Sequence, residues 1–190
     1  MTSDREPFDE LYARDADPWR VRTDWYERRK LAVVLSCLPR EHYATGLEIG
    51  CSIGVTTRAL AGRCGHLEAL DASPRALELA RQELADLPAG RVSLVEAAVP
   101  EQLPAGPYDL VVLSEVGYFI PPARVDALAT ALPGRLTVGG DLVAVHWRLD
   151  ADRLATAGDV VHERLGAQGL TEVVGHVERE FVLQVWRRDA

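Results

Sequence analysis

Two carboxylates and two glycines near the middle of the sequence have the spacing of a nucleotide-binding site. Glu48 lies two residues before Gly50, Gly54 follows four residues later, and Asp71 lies about 20 residues beyond Gly50. A carboxylate at that distance from a glycine turn accepts hydrogen bonds from ribose hydroxyls, and the glycines let the backbone approach a ligand closely. These residues therefore predict a nucleoside-cofactor site. The alternative is a tight strand–helix turn with no ligand.

The surrounding pattern places these residues in a β-turn-α-β unit. A short apolar strand, Leu47–Ile49, ends at the glycine turn, and a helix is predicted from about Val55. A second strand, His66–Leu70, ends immediately before the second carboxylate. The middle position of the turn is Ser52, so the G-x-G-x-x-G fingerprint of dinucleotide sites is incomplete. This departure disfavours NAD as the cofactor.

The remainder of the chain continues the alternation of strands and helices. The near-continuous apolar run in Tyr108–Ser114 predicts a central parallel strand that is buried on both faces. Gly139 and Gly140 predict a turn before the next strand. The last two strands are separated by three residues, which is too short for a crossover helix, so they must pair antiparallel. The strands predicted after the first two are 92–96, 108–114, 141–147, 171–177 and 181–187.

These elements predict an α/β fold with a Rossmann-like, mostly parallel seven-stranded sheet and a C-terminal antiparallel β-hairpin. A terminal hairpin is typical of methyltransferase sheets rather than dehydrogenase sheets. The cofactor that the sequence favours is therefore S-adenosyl-L-methionine, with S-adenosyl-L-homocysteine as its product. We expect one domain over residues 1–190, with an N-terminal helical lid over 1–40 and a Rossmann-like core over 45–190.

The first forty residues carry aromatic and cationic side chains beside a predicted helix over about residues 24–38. Arg28 borders the apolar face of this helix, whereas Arg29 is expected to face solvent. Tyr12, Trp19 and Arg28 are candidates to cap the cofactor cleft, with Arg28 binding the methionine carboxylate of the cofactor. The alternative is that they only cover the sheet.

Residues at the carboxyl ends of two strands are candidates for catalysis, because ligands of open α/β sheets bind there. Glu115 is expected to hold an acceptor amine or the methionine part of the cofactor. Tyr118 is expected to form a wall beside the methyl group, or else to pack in the core. His146 is a candidate general base, with a hydrogen-bonded structural role as the alternative.

The turn after the third strand, at Ala97 and Ala98, has small side chains that leave room for adenine. The full set predicted to bind the cofactor is Tyr12, Trp19, Arg28, Glu48, Gly50, Cys51, Gly54, Asp71, Ala72, Ala97, Ala98 and Ser114. For Glu48, bracing of the glycine loop through backbone N–H groups is an alternative to contact with the cofactor's amino group.

Composition limits the partners that we expect. The formal net charge of −8 disfavours nucleic acid. No apolar run approaches the roughly 20 residues of a membrane span, and the polar N-terminus has no apolar signal core. We therefore expect a cytoplasmic protein with no membrane partner. The spacing of Cys37, Cys51 and Cys64 suggests neither a disulfide framework nor a zinc site, so no metal is expected.

The motifs around Glu48, Asp71 and 108–116 resemble those of class I S-adenosylmethionine-dependent methyltransferases. The segments 17–19, 27–30 and 114–118 resemble the nodulation protein S (NodS) branch more narrowly. That resemblance implies N-methylation of the amino group on the non-reducing glucosamine of a deacetylated chitin oligosaccharide. Two departures stand out: Ala98 replaces a frequent aspartate near adenine, and Gly117 replaces a bulkier residue, which would widen the acceptor pocket.

The sequence thus predicts a methyltransferase that acts on a small molecule or saccharide, by N-methylation of an amino sugar. The main alternative is O-methylation of a sugar or of a small hydroxylated metabolite. A dinucleotide-binding oxidoreductase and a non-catalytic cofactor-binding module are further alternatives. The sequence specifies neither the acceptor itself nor the oligomeric state.

Overall fold

A computed structural model describes residues 6–149 and 154–190 of the chain. The chain divides into two compact units, residues 1–98 and 99–190. The first unit contains α1 (Glu6–Arg14), α2 (Trp25–Cys37), β1 (Tyr43–Ile49), α3 (Val55–Ala61), β2 (Cys64–Asp71), α4 (Pro74–Glu83) and β3 (Val92–Glu96).

The second unit carries the remaining strands and helices. They are β4 (Tyr108–Ser114), α5 (Pro122–Ala131), β5 (Leu136–Trp147), α6 (Gly158–Gly166), β6 (Thr171–Val177) and β7 (Phe181–Arg187). Two short 3₁₀ turns accompany them, at Gly117–Phe119 and Leu132–Arg135. The seven strands form one sheet in the order β3-β2-β1-β4-β5-β7-β6.

The strand pairings confirm the predicted mostly parallel sheet with a terminal hairpin. In the first unit β2 pairs parallel with both β1 and β3. In the second unit β4 and β5 are parallel, whereas β7 runs antiparallel to both β5 and β6. The Rossmann-like fold class predicted from the sequence is therefore correct.

Apolar side chains explain why each unit is compact. In β1 and β2 the side chains of Leu47 and Leu67 are fully buried. In β4 every residue from Leu110 to Leu113 is fully buried, which confirms the prediction of a strand covered on both faces. Helix α4 begins at Pro74 because the Ser73 side chain caps it by accepting a hydrogen bond from the Ala76 N–H.

The predicted turn at Gly139 and Gly140 is wrong, because both glycines lie inside the long strand β5. Gly139 N donates a hydrogen bond to Arg188 O, and Arg188 N donates to Gly140 O. These bonds extend the antiparallel ladder beyond β7. Gly139 has a φ of 77°, so the strand is irregular at this point without turning back.

The cationic side chains at the start of helix α2 are placed differently from the prediction. Arg28 is exposed, Arg29 is half-buried and Lys30 is buried. The Lys30 ammonium forms an ion pair with Glu27 at 3.0 Å and lies 5.0 Å from the ring centroid of Tyr26. These partners compensate the burial of the lysine charge. The sequence pattern placed Arg28 at the border of the buried face because of its spacing from the apolar residues of the helix.

Within residues 6–149 and 154–190, none of the helices has the length and apolarity needed to cross a bilayer. The cytoplasmic location stays a prediction.

The pairing of β5 with β7 includes an ion pair whose carboxylate is buried. Asp141 is fully buried and lies opposite Arg187 in the ladder. Arg187 Nε and Nη2 donate to the two carboxylate oxygens of Asp141 at 2.8 and 3.2 Å. A bidentate contact of this kind compensates for the loss of carboxylate hydration.

Replacing Arg187 with methionine should lower the free energy of unfolding by about 3 kcal/mol, because it leaves the Asp141 charge buried without its guanidinium partner. Urea unfolding at neutral pH measures this loss. Arg164→Met is the matched control, since Arg164 pairs with Asp126 where both side chains are exposed. The control should lose no more than about 1 kcal/mol. Equal losses in the two variants would contradict this account of the β5–β7 pairing.

Candidate active site

The loop after β1 is held against the end of β2 by backbone hydrogen bonds. Gly50 N and Cys51 N both donate to Leu70 O, at 2.8 and 2.7 Å. Gly50 and Gly54 have φ angles of 78° and 86°, in the left-handed region that glycine adopts without strain. A Cβ at Gly54 would also lie only 3.2 Å from Ala80 of α4. The loop geometry therefore requires glycine at both positions.

Asp71 links this loop to the start of α4. Its Oδ2 accepts a hydrogen bond from Ser52 N at 2.8 Å, and its Oδ1 accepts one from Ser73 N at 2.9 Å. Burial raises the pKa of Asp71, while the backbone N–H groups act in the opposite direction. Each carboxylate oxygen can accept more than one hydrogen bond. The arrangement thus fixes the carboxylate and leaves it able to accept ribose hydroxyls.

Glu48 lies in β1 with its carboxyl group buried, and only 1% of the residue is exposed. Burial raises its pKa to about 7, and the nearby Asp71 carboxylate adds to the rise. Within the described residues, Glu48 Oε2 and Thr57 Oγ1 both lack a hydrogen-bond partner. The predicted bracing of the loop by this oxygen is therefore absent. A buried, unpaired carboxyl oxygen is what an ammonium or other donor of a ligand would satisfy.

The N-terminal helix α1 contacts the same loop. Tyr12 is buried, and its hydroxyl donates to Ser52 Oγ at 2.7 Å. Burial and the Asp71 charge both raise the pKa of the phenol, so it stays protonated as a donor. Trp19 packs edge-on against the Tyr12 ring, with 5.5 Å between the ring centroids. Asp9 of α1 also contacts the Ser73 hydroxyl, so α1 covers both the loop and the first turn of α4.

The remaining predicted cofactor residues of the first unit are brought near Asp71, with one exception. Ala97 N donates to Asp71 O at 3.0 Å, which places the turn after β3 beside Asp71 and Ala72. Ala98 is half-buried and follows directly, and Cys51 is buried within the loop. The exception is Arg28. It is exposed on α2, and in the described part of the chain no hydrogen bond or ion pair joins its side chain to the loop.

In the second unit, Ser114 is the last residue of β4 and Glu115 follows it. Glu115 has a φ of 57°, which is uncommon for a residue with a side chain. Its N–H donates to Val145 O at 2.9 Å, and its Oε2 accepts a hydrogen bond from Trp147 N at 3.0 Å. The last residues of β5 therefore hold the half-buried Glu115 carboxylate in place.

The structure contradicts the predicted placement of His146 on an open rim. Its side chain is fully buried, its Nε2 accepts a hydrogen bond from Gly117 N at 3.1 Å, and its Nδ1 lies 3.0 Å from His162 Nε2. Both ring nitrogens are therefore occupied by protein groups, and no nitrogen is presented to a substrate. The sequence placed His146 at the end of a strand correctly but could not show which groups meet its ring.

Two neighbouring predictions also change. A Cβ at Gly117 would lie 2.6 Å from Val161 and 2.9 Å from His146 Nε2. Core side chains therefore occupy the space that a larger residue would need, and Gly117 does not widen a pocket. Tyr118 is buried, and its ring packs edge-on against His146 and Phe119, with centroid distances of 5.6 and 4.6 Å. These contacts support the core-packing alternative for Tyr118.

Sequence reasoning missed two residues that shape this part of the chain. Thr156 N donates to Tyr118 O, and its hydroxyl donates to Ile120 O at 2.7 Å. The second residue is His162, whose position on the inner face of α6, beside Val161, indicates a buried polar partner for another core residue. Thr156 has no sequence signal of its own, because it lies in the segment that precedes α6.

Comparisons with known proteins give one consistent result. The model of the family described as "Nodulation protein S (NodS)" matches residues 8–136. Nodulation protein S of Rhizobium tropici is 33% identical over 173 residues, which cover 90% of this chain and 68% of that protein. Nodulation protein S of Bradyrhizobium diazoefficiens is 32% identical over 105 residues, which cover 55% of this chain and 49% of that protein.

A solved structure extends the comparison to the fold. The crystal structure of N-methyltransferase NodS from Bradyrhizobium japonicum WM9, in complex with S-adenosyl-L-homocysteine, superposes with a TM-score of 0.88 at 26% identity. The superposition covers 98% of this chain and 99% of that chain.

The strand order, the glycine loop and the two carboxylates beside it define an S-adenosylmethionine-dependent methyltransferase. The family match and the similarity to the Rhizobium tropici protein show the narrower relationship. The chain belongs to the nodulation protein S (NodS) family.

The Glu48 carboxyl should make stability depend on pH in a direction opposite to that of most carboxylates. Its pKa is about 7 in the folded protein and near 4.5 in the unfolded chain, so the folded state binds more protons between these values. The stability that the Glu48 carboxyl contributes is fully present below about pH 4.5 and is lost as the pH rises through 7.

In the absence of cofactor, the free energy of unfolding of Glu48→Gln minus that of wild type should therefore increase by about 2 kcal/mol when the pH rises from about 5 to about 8. Urea unfolding at the two pH values measures the difference. Glu96→Gln, at an exposed position of β3, is the control and should show no such gain. If the free energies of unfolding of Glu48→Gln and wild type differ by the same amount at both pH values, the raised pKa of Glu48 is contradicted.

Proposed function

We propose that this protein transfers a methyl group from S-adenosylmethionine to the amino group of an amino sugar. The observation that carries the choice of an amine is the occupation of both His146 ring nitrogens by Gly117 and His162. A hydroxyl needs a base before it attacks, whereas a sugar amine is partly neutral near pH 7 and attacks without one. The similar NodS structure, described as an N-methyltransferase, supports the same choice.

The first unit is proposed to hold the cofactor. S-adenosylmethionine supplies a methyl group on a positively charged sulfur, which needs no further activation by the protein. Asp71 would accept the ribose hydroxyls, and the turn at Ala97 and Ala98 would lie beside adenine. Glu48 would accept a hydrogen bond from the ammonium of the methionine part, which satisfies the carboxyl oxygen that lacks a partner.

Glu115 is proposed to orient the acceptor. Its carboxylate is held by Trp147 N at 3.0 Å, so its direction is fixed before a substrate arrives. A carboxylate can accept further hydrogen bonds from an amine and can stabilise the positive charge that develops on nitrogen as the methyl group is received. Alignment of the reacting groups is the main contribution expected of the protein, and such alignment can supply about 7–11 kcal/mol.

The lid role of Tyr12, Trp19 and Arg28 is also part of the proposal. The contacts of Tyr12 with Ser52 and Trp19 support a cover over the cofactor loop. Arg28 would have to reach the cofactor's carboxylate from an exposed position on α2. The resemblance to the NodS branch suggests a deacetylated chitin oligosaccharide as the acceptor, with the amine on its non-reducing glucosamine.

A screen of methyl acceptors tests the proposed reaction. Glucosamine, deacetylated chitin oligosaccharides, neutral sugars and small amines are each incubated with the enzyme and S-adenosylmethionine, and the mass of each acceptor is measured. An increase by one methyl group on amino sugars alone is expected. Methylation of neutral sugars without methylation of amino sugars would overturn the proposal in favour of an O-methyltransferase.

The Glu115→Gln variant tests the role of that carboxylate in the same assay. Its turnover number should fall by about 100-fold, because the developing positive charge loses its counter-ion, while the affinity for S-adenosylhomocysteine should stay unchanged. Glu163→Gln, at an exposed position of α6, is the matched control and should keep normal turnover. Near-normal turnover of Glu115→Gln would contradict the assigned role.

A further inference from the structure

A chain of hydrogen bonds crosses the second unit from the backbone of Gly117 to the outer strand β6. Gly117 N donates to His146 Nε2 at 3.1 Å, and His146 Nδ1 lies 3.0 Å from His162 Nε2. His162 Nδ1 in turn lies 2.8 Å from Gln184 Oε1. Gln184 Nε2 then donates to Glu172 Oε2 at 2.7 Å. We call this set of contacts the histidine chain.

The first donor fixes the direction of every later bond. A backbone N–H can only donate, so His146 Nε2 must accept and carries no proton. The proton of a neutral His146 therefore lies on Nδ1 and is donated to His162 Nε2. By the same argument the proton of His162 lies on Nδ1 and is donated to the side-chain oxygen of Gln184. A second proton on either ring would place two donors against each other.

The surroundings keep His162 neutral. Burial lowers the pKa of His162 to about 4, with Arg148 acting in the same direction. The side chain of Gln184 and the charges of Asp159 and Glu115 oppose the shift without cancelling it. At neutral pH the histidine chain therefore exists in the single arrangement given above.

The end of β5 positions two groups that follow β4. His146 holds the backbone of Gly117, and the next residue, Trp147, holds the carboxylate of Glu115 through its N–H. Gly117 and Glu115 are only two residues apart, so their geometry is coupled through the short segment between them. A shift of Gly117 would therefore change the direction of the Glu115 carboxylate.

The turn at Gly117–Phe119 is enclosed by contacts with α6, with Thr156 and with the His146 ring. A Cβ at Gly117 would lie 2.6 Å from Val161, so the backbone already touches α6. On the other side, Thr156 donates to the carbonyl oxygen of Tyr118 at 3.1 Å. The His146 ring fills the remaining side, where it meets both the Gly117 N–H and the edge of the Tyr118 ring.

We propose that His146 is a positioning residue for methyl transfer. Through the histidine chain it holds Gly117, and thereby Glu115, in the geometry that the acceptor amine requires. The proposal rests on the proposed function, because the acceptor is taken to meet Glu115. It assigns His146 no part in proton transfer.

Two substitutions of His146 separate positioning from general-base catalysis. His146→Phe keeps a buried ring but removes both hydrogen bonds, and its turnover number should fall by about 30-fold. His146→Gln retains a group that accepts from Gly117 N and donates to His162, so its turnover should lie within about threefold of wild type. His176→Phe, on β6 outside the histidine chain, is the control and should behave as wild type. All variants should bind S-adenosylhomocysteine with unchanged affinity.

A general base would give a different pattern. Glutamine cannot take up a proton, so His146→Gln would then be as inactive as His146→Phe, and its rate would rise continuously with pH. A purely structural role would lower the melting temperature of His146→Phe while its turnover stayed normal. Either pattern would overturn the proposal.

Amide hydrogen exchange and nitrogen NMR provide readouts that need no acceptor. The Gly117 amide should exchange slowly in wild type and in His146→Gln but quickly in His146→Phe, and the His146 ring should carry its proton on Nδ1. If wild type methylates no acceptor in the screen, the proposed function fails. These spectra then test on their own whether His146 holds Gly117 through the histidine chain. A rapidly exchanging Gly117 amide in wild type, or a His146 proton on Nε2, would overturn it.

Discussion

The Asp71 carboxylate is the group that holds together the residues proposed to bind the cofactor. It accepts one backbone hydrogen bond from Ser52 in the loop after β1 and one from Ser73 at the start of α4. The same loop receives the Tyr12 hydroxyl from α1. One side chain therefore fixes the glycine loop, the first turn of a helix and, through the loop, the position of the N-terminal helix. A nucleoside would meet a surface whose acceptors are already oriented.

The two units use a common device at the ends of β1 and β4. In each, a residue with a side chain adopts a left-handed backbone conformation, Ser52 in the first unit and Glu115 in the second. In the first unit Ser52 N donates a hydrogen bond to the Asp71 carboxylate, and in the second unit Trp147 N donates one to the Glu115 carboxylate. Strained residues of this kind persist where surrounding contacts determine them, and they concentrate at functional sites. We therefore propose that binding occurs at the first of these positions and chemistry at the second.

Much of the fold was predictable because the signals are local. The bounds of β4 and of both hairpin strands match the prediction, since apolar runs and a three-residue link determine them. The site loop was predictable for the same reason, as glycines and carboxylates at fixed spacing carry the signal. The turn expected at Gly139 and Gly140 failed because its hydrogen bonds go to Arg188, which lies far along the chain.

The candidate site was less predictable where partners come from distant segments. The role first given to His146 depended on an open strand end, but its ring meets Gly117 and His162 from two other elements. The burial of Lys30, which the apolar spacing did not predict, has a similar origin, because an ion pair and an aromatic ring compensate the burial of its charge. No pattern of apolar spacing contains that information. Family resemblance, by contrast, pointed to the methyltransferase class correctly because it used the local motifs.

Titration calorimetry with S-adenosylhomocysteine tests whether Asp71 both anchors the glycine loop and binds the cofactor. Wild type should bind one ligand per chain, and Asp71→Ala should bind at least about tenfold more weakly, because it loses both the ribose acceptor and the anchor of the glycine loop. Asp86→Ala, at an exposed position after α4, should bind as wild type does, and circular dichroism confirms that each variant is folded. Equal affinity of wild type and a folded Asp71→Ala would contradict the account.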